Sequence, residues 1–134
     1  MKKVLFICTG NTCRSPMAEY LFKKIIKDKS LPASCFSAGT CAVQNQKASD
    51  NAIKVLSQMG IDMSEFKSQL LTKQMLDSAD IIAVIGKNNI ELIKSLGYNV
   101  IPFEIDDPYM SDIEVYKQCK DQISKKLEEV EKLI

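Results

Sequence analysis

The chain has no histidine and no tryptophan, and its eighteen basic residues include one arginine, Arg14. Without histidine there is no Ser-His-Asp or Cys-His catalysis, no histidine-ligated zinc and no histidine pH switch. Proton transfer must fall to a carboxylate, lysine, tyrosine or cysteine. Charge of one sign is also lacking: 18 basic against 17 acidic residues leave a net +1, so no overall field draws nucleic acid or an anionic membrane. No apolar run approaches the ~20 residues of a membrane span. The run Val4–Cys8 near the N-terminus falls short of the roughly 7–15 apolar residues of a signal peptide and reads as a buried strand. A cytoplasmic protein is expected, with its five cysteines reduced. An odd cysteine count without a repeated C-x-x-C excludes a disulfide framework and a zinc cage.

What is present is an ordinary globular balance, 46% hydrophobic and 26% charged over 134 residues, which fits a single domain spanning residues 1–134. Strand patterns at Val4–Cys8, Ala33–Ala38, Ile81–Ile85 and Tyr98–Phe103 alternate with helical ones. Ser15 reads as the N-cap of the first helix, with Pro16 at its first position and apolar residues recurring to about Lys27. Glu19 stands in its first turns, where a negative charge suits the helix dipole. Further helices are expected at about Ser49–Met59, Thr72–Ser78 and Asn88–Leu96. The steps Ile113, Tyr116, Cys119, Ile123, Leu127, Val130 and Ile134 predict a long amphipathic helix to the end. Alternation throughout, with unbroken apolar strands, predicts an α/β fold: a parallel sheet covered on both faces. In such a sheet ligands bind beyond the strands' C-terminal ends, near the topological switch point. That directs attention to the loop after the first strand.

The loop reads Cys8-Thr9-Gly10-Asn11-Thr12-Cys13-Arg14-Ser15. Backbone amides of a tight loop and a helix N-terminus converge there into an anion-binding concavity, and Gly10 permits the close turn. Arg14 can close a fork on two phosphate oxygens as a lysine cannot. The same donors are expected to lower the pKa of Cys8 and make it a nucleophile. Cys35, Cys41 and Cys119 are read as buried and inert. Asp106 and Asp107 precede Pro108 in a turn; they are solvated turn carboxylates or, with no histidine to compete, candidates for the leaving-group acid.

Residues Val4 to Glu19 resemble the signature of the low-molecular-weight protein tyrosine phosphatase family. Ser37-Ala38-Gly39-Thr40, Gly60-Ile61-Asp62-Met63-Ser64 and Asp107-Pro108-Tyr109 match it further, in order along the whole chain. The resemblance implies a three-layer αβα sandwich with a four-stranded parallel sheet, and a cysteinyl-phosphate mechanism with no metal or other cofactor. By it, Cys8 attacks phosphorus while Arg14 and the amides of Thr9 to Cys13 hold the oxygens. Asp107 protonates the leaving group and then activates water. Ser15 hydrogen-bonds the sulfur, Asn11 pins the loop, Ser37 supports it, and Tyr109 stands on the substrate rim. Asp106 either raises the pKa of its neighbour or is solvated. The implied partners are a phosphorylated protein and phosphate or a similar oxyanion, with no nucleic acid or membrane.

The departures from the family pattern are informative. A histidine and an arginine common in relatives are replaced by Phe66 and Gln69, which removes one support of Asn11. The rim lacks the usual tryptophan, and Met110 follows Tyr109 where a second aromatic is frequent. Thr12 stands where tyrosine-directed members carry an aliphatic residue. The bacterial protein arginine phosphatases of the family resemble this chain there and at Ile113–Gln118, so phosphoarginine is narrowly favoured over phosphotyrosine. Cys13 is expected to pair with Cys8 on oxidation. Three rivals rank lower. An FMN-binding flavodoxin-like carrier would want aromatics, including tryptophan, around the flavin. An arsenate reductase would need relay cysteines within Ala79–Glu91, and there are none. A silent phosphate-binding module would not need Cys8, Arg14 and Asp107 together.

Overall fold

Val4 to Cys8 form an uncharged run that is stable as a strand only where both of its faces are covered. In the computed structural model, which describes residues 1–134, they close β1 (Lys2–Cys8) and are all buried. Beside it lie β2 (Ala33–Gly39), β3 (Ile81–Ile85) and β4 (Ile101–Phe103), in the order β2-β1-β3-β4 and all parallel. Five helices complete the chain: α1 (Arg14–Lys29), α2 (Asp50–Ser57), α3 (Lys73–Ser78), α4 (Lys87–Ser95) and α5 (Ile113–Glu131).

The two-residue period of the strands divides the core in two. Val4, Phe6, Cys8, Ala83 and Ile85 pack with Met17 and Phe22 of α1 and with Tyr116, Ile123 and Leu127 of α5. Leu5, Ile7, Ile82 and Val84 face the other way, onto Leu76 of α3 and Ile90 and Ile93 of α4. The expected αβα sandwich is therefore present. Because β2 flanks β1 on one side and β3 on the other, the strand order reverses at β1, and the loop after β1 opens at that switch point.

Several boundaries differ from the sequence expectation. Helix α1 starts at Arg14, with Cys13 rather than Ser15 in the cap position and no side-chain cap. Ser15 and Pro16 fall inside the first turn, whose amides need no intrahelical acceptor, so the proline is tolerated. Helix α2 stops at Ser57, leaving Met59 well exposed. Strand β4 shortens to Ile101–Phe103 because Tyr98 turns toward α3 and donates to Asp77. Cys41, expected to be buried, is exposed.

Cys35 and Cys119 are buried as expected. Burial first, and the charge of Glu19 second, push the Cys35 thiol up to about 12; burial likewise pushes Cys119 up to about 12, against the pull of Arg14. An unfolded thiol ionises near 8.5. Between those values the folded chain holds protons that the unfolded chain releases, so stability falls as pH rises. The unfolding free energy of the reduced protein, measured by urea titration, is predicted to drop between pH 8 and pH 10.5, by at most about 1.4 kcal/mol per pH unit for each thiol. Cys35→Ala should flatten that slope; an equal slope would contradict the assignment.

Candidate active site

Cys8 is the last residue of β1, and α1 begins at Arg14, so the residues between them must reverse within five positions. Asn11 makes the reversal with a left-handed φ of 55°, a conformation that asparagine tolerates better than most residues. This turns its amide N–H toward the Cys8 sulfur at 3.3 Å. The buried side chain of Asn11 engages both its N–H donors and its carbonyl oxygen. Nδ2 donates to Ser15 Oγ at 2.8 Å and Ser37 Oγ at 3.0 Å, while Oδ1 accepts from the Gln69 amide at 2.9 Å. The support expected to be lost with the family's histidine is thus supplied by Ser37 and by Gln69, whose Nε2 also donates to the Ser37 carbonyl at 2.9 Å.

Ser15 Oγ lies 2.8 Å from Cys8 Sγ. Since this oxygen already accepts from Asn11, its own proton is free to point at the sulfur. The expectation of a lowered thiol pKa is corrected: burial pushes Cys8 above the ordinary cysteine range, and the opposing pulls of Ser15, Arg14 and the Asn11 amide offset it only in part. Ionisation of this sulfur therefore depends on its hydrogen-bond donors.

Arg14 is buried. Its Nη1 donates to the Ile105 carbonyl at 2.8 Å, while Nη2 lies 3.8 Å from Asp107 Oδ2. Nε is buried without a partner. One tip of the guanidinium is anchored, while its Nε–Nη2 edge makes no hydrogen bond, a geometry that can grip two oxygens of a tetrahedral oxyanion. Asp107 follows β4; its Oδ1 accepts from the Tyr109 amide at 3.0 Å and its side chain is about half exposed, 49%.

One cavity of about 250 Å³ joins these groups. Cys8, Thr9, Gly10, Thr12, Cys13 and Arg14 line it from the loop, with Asp107 and Tyr109 from the β4–α5 connection. Asn11, Ser15 and Ser37 are absent from the lining and act behind it through hydrogen bonds. Cys13 also reaches backward: its sulfur donates to Ser49 Oγ at 3.4 Å and lies 3.3 Å from Tyr116 Oη. Asp106 lines a neighbouring cleft with Lys87 and Asn88, and only Thr9, Arg14 and Asp107 of the cavity residues border both.

Other contributors carried no sequence signal strong enough to be singled out. Cys41, Val43 and Gln46 complete the lining. Asn89 donates to Thr9 Oγ1 and to the Ile85 carbonyl, both at 3.0 Å, and accepts from Thr40. Gly86 has a φ of 102°, and a Cβ there would sit 2.8 Å from Arg14 Nη1. A glycine between a buried strand and a helix was the available hint for this last position.

The sequence profile of the family "Low molecular weight phosphotyrosine protein phosphatase" matches residues 3–134. The chain belongs to this family. A protein-arginine-phosphatase of Bacillus subtilis (strain 168) is 33% identical, over 96% of this chain and 94% of the relative. An arsenate reductase 1 of Staphylococcus epidermidis is 33% identical, over 95% and 93%. The crystal structure of a low molecular weight protein tyrosine phosphatase from T. tengcongensis superimposes with a TM-score of 0.93 at 30% identity, covering both chains in full.

Two outcomes follow for this member of the low-molecular-weight phosphatases. Ser15→Ala removes the strongest downward pull on the sulfur, so iodoacetamide alkylation of Cys8 should require higher pH; an unmoved profile would contradict it. Gly86→Ala should displace Arg14 and raise the inhibition constant of inorganic phosphate about tenfold; an unchanged constant would show that the guanidinium has room.

Proposed function

We propose that the chain hydrolyses phosphorylated protein side chains through a cysteinyl-phosphate intermediate, with phosphoarginine narrowly favoured over phosphotyrosine. The observation that carries this reading is the buried Arg14 guanidinium, its Nε without a partner and its Nη2 3.8 Å from Asp107 Oδ2, on the same cavity as the Cys8 thiol and the Asp107 carboxylate. Cys8 attacks phosphorus and the bond to the leaving group breaks. Arg14 and the loop amides hold the oxygens as negative charge builds on them. Asp107, held by the Tyr109 amide, gives its proton to the leaving group. It then takes one from the water that hydrolyses the phosphocysteine. Ser15 returns its hydrogen bond to the departing sulfur. All five cysteines are free thiols, as a nucleophilic Cys8 requires, and a reducing cytoplasmic setting is part of the proposal.

The preference for phosphoarginine is supported by Thr12, which lines the cavity and has the Cys13 sulfur, 3.8 Å away, as its hydrogen-bonding neighbour. Its hydroxyl can meet a polar guanidinium-linked phosphate, where a branched hydrocarbon would favour an aromatic ring. The similarity to a protein-arginine-phosphatase supports the same side. Phosphotyrosine remains the second reading because Tyr109, exposed at the cavity, offers a ring for stacking.

Phosphoarginine and phosphotyrosine peptides assayed side by side should show faster turnover of the former. Thr12→Ile should shift the ratio toward phosphotyrosine by about tenfold. A ratio indifferent to Thr12 would overturn the specificity argument. Cys8→Ser should abolish hydrolysis of para-nitrophenyl phosphate; retained hydrolysis would overturn the mechanism.

A further inference from the structure

Glu19 lies one helical turn beyond Ser15, and its placement corrects the reading of it as a dipole charge. It is 7% exposed, and a buried carboxylate of that kind is costly unless paired and hydrogen-bonded. Both conditions are met: Lys23 Nζ donates to Oε2 at 2.6 Å and Ser37 Oγ donates to Oε1 at 2.6 Å. Burial works against the Lys23 ammonium, yet the hydrogen bond and charge of Glu19 hold it above the ordinary lysine range. The other titratable groups packed here are the Cys35 thiol, which donates to the Glu19 carbonyl, and Tyr20, whose ring lies under Lys23 Nζ at 4.8 Å.

Ser37 has one hydroxyl proton and directs it to Glu19, so toward Asn11 its oxygen serves as an acceptor. Asn11 Nδ2 has two protons, taken by Ser37 and Ser15. Ser15 accepts one of these, which leaves its own proton for Cys8 Sγ. Every donor along this path points toward or away from the sulfur according to what the carboxylate accepts at the far end. An amide at position 19 would set a donor against either Ser37 or the Lys23 ammonium. The relief available to Ser37 is rotation of the Asn11 amide, which gives up the bond from the Gln69 amide, turns an acceptor toward Ser15 and draws its proton away from the sulfur.

We propose that Glu19, its charge balanced by Lys23, is a positioning residue of the phosphatase reaction: through Ser37, Asn11 and Ser15 it sets the direction of the hydrogen bonds that hold the Cys8 sulfur. The assignment rests on the reading of Cys8 as nucleophile. It makes a prediction of opposite sign to simple electrostatics. Acting through space, loss of a nearby negative charge would ease ionisation of Cys8; acting through the chain of hydrogen bonds, the same loss hinders it.

The test is iodoacetamide alkylation of Cys8 against pH, read by peptide mass spectrometry in the full chain, which needs no phosphatase turnover. Glu19→Gln and Ser37→Ala should each raise the alkylation midpoint by about one pH unit, equivalent to about tenfold less thiolate at a given pH below it. Each should lower kcat for para-nitrophenyl phosphate while KM stays within about twofold. The double variant should be no worse than the worse single, since both break one path. Lys24→Met, which removes an exposed pair with Asp28, should leave the profile unchanged. A folded Glu19→Gln with an unmoved or lowered midpoint, or additive effects in the double variant, would overturn the proposal. Should Glu19→Gln fail to fold, Ser37→Ala carries the same expectation, and an unmoved midpoint there overturns it. Turnover of para-nitrophenyl phosphate by the unaltered chain reports separately on the proposed function.

Discussion

A sulfur sealed at the end of a buried strand is a poor place for negative charge, and the architecture around Cys8 is arranged against that handicap. Burial alone drives the thiol toward its neutral form. The opposing groups are the Ser15 hydroxyl, the Asn11 amide and the Arg14 guanidinium, all within seven residues of Cys8. Their orientation comes from the strand-loop-helix junction at the reversal of the sheet. The fold therefore enters the chemistry directly: it supplies dehydrated, fixed donors where a flexible loop would supply water.

The two other principal groups are fastened to each other as well as to the loop. Arg14 donates to the carbonyl of Ile105, two residues before Asp107. Gly86, the residue that leaves room for Arg14, donates its amide to Phe103 at the end of β4. The oxyanion fork and the candidate acid thus share one mechanical frame, although they lie far apart in sequence. Shifting Arg14 would disturb the segment that carries Asp107, and the converse holds.

Much of this was legible in the residues. The apolar runs of β1 and β3 admit few positions other than the centre of a covered sheet, and cysteine six residues before the only arginine marks the loop. What escaped were features without a local signature. Ser15-Pro16 looks like a helix entrance because both residues favour that place, yet the helix begins at Arg14 and Ser15 is spent on the sulfur. Glu19 reads as a charge that suits the helix dipole; only the passage of β2 beside α1, bringing Ser37, makes it a buried acceptor. The partner of Arg14 on Ile105 is a backbone carbonyl, which no side chain advertises. Cys41 lies exposed at the cavity because the chain leaves β2 after Gly39, at the limit of the strand pairing.

The proposed chemistry requires the Nε–Nη2 edge of Arg14 and the Cys8 sulfur to be two parts of one oxyanion site. A crystal structure with tungstate bound tests this most directly. The expected result is tungsten in the cavity, two of its oxygens on Arg14 Nε and Nη2, others on the amides between Thr9 and Arg14, and Cys8 Sγ facing the metal opposite Asp107. Tungstate bound elsewhere, or bound in the cavity without engaging that edge of Arg14, would contradict it.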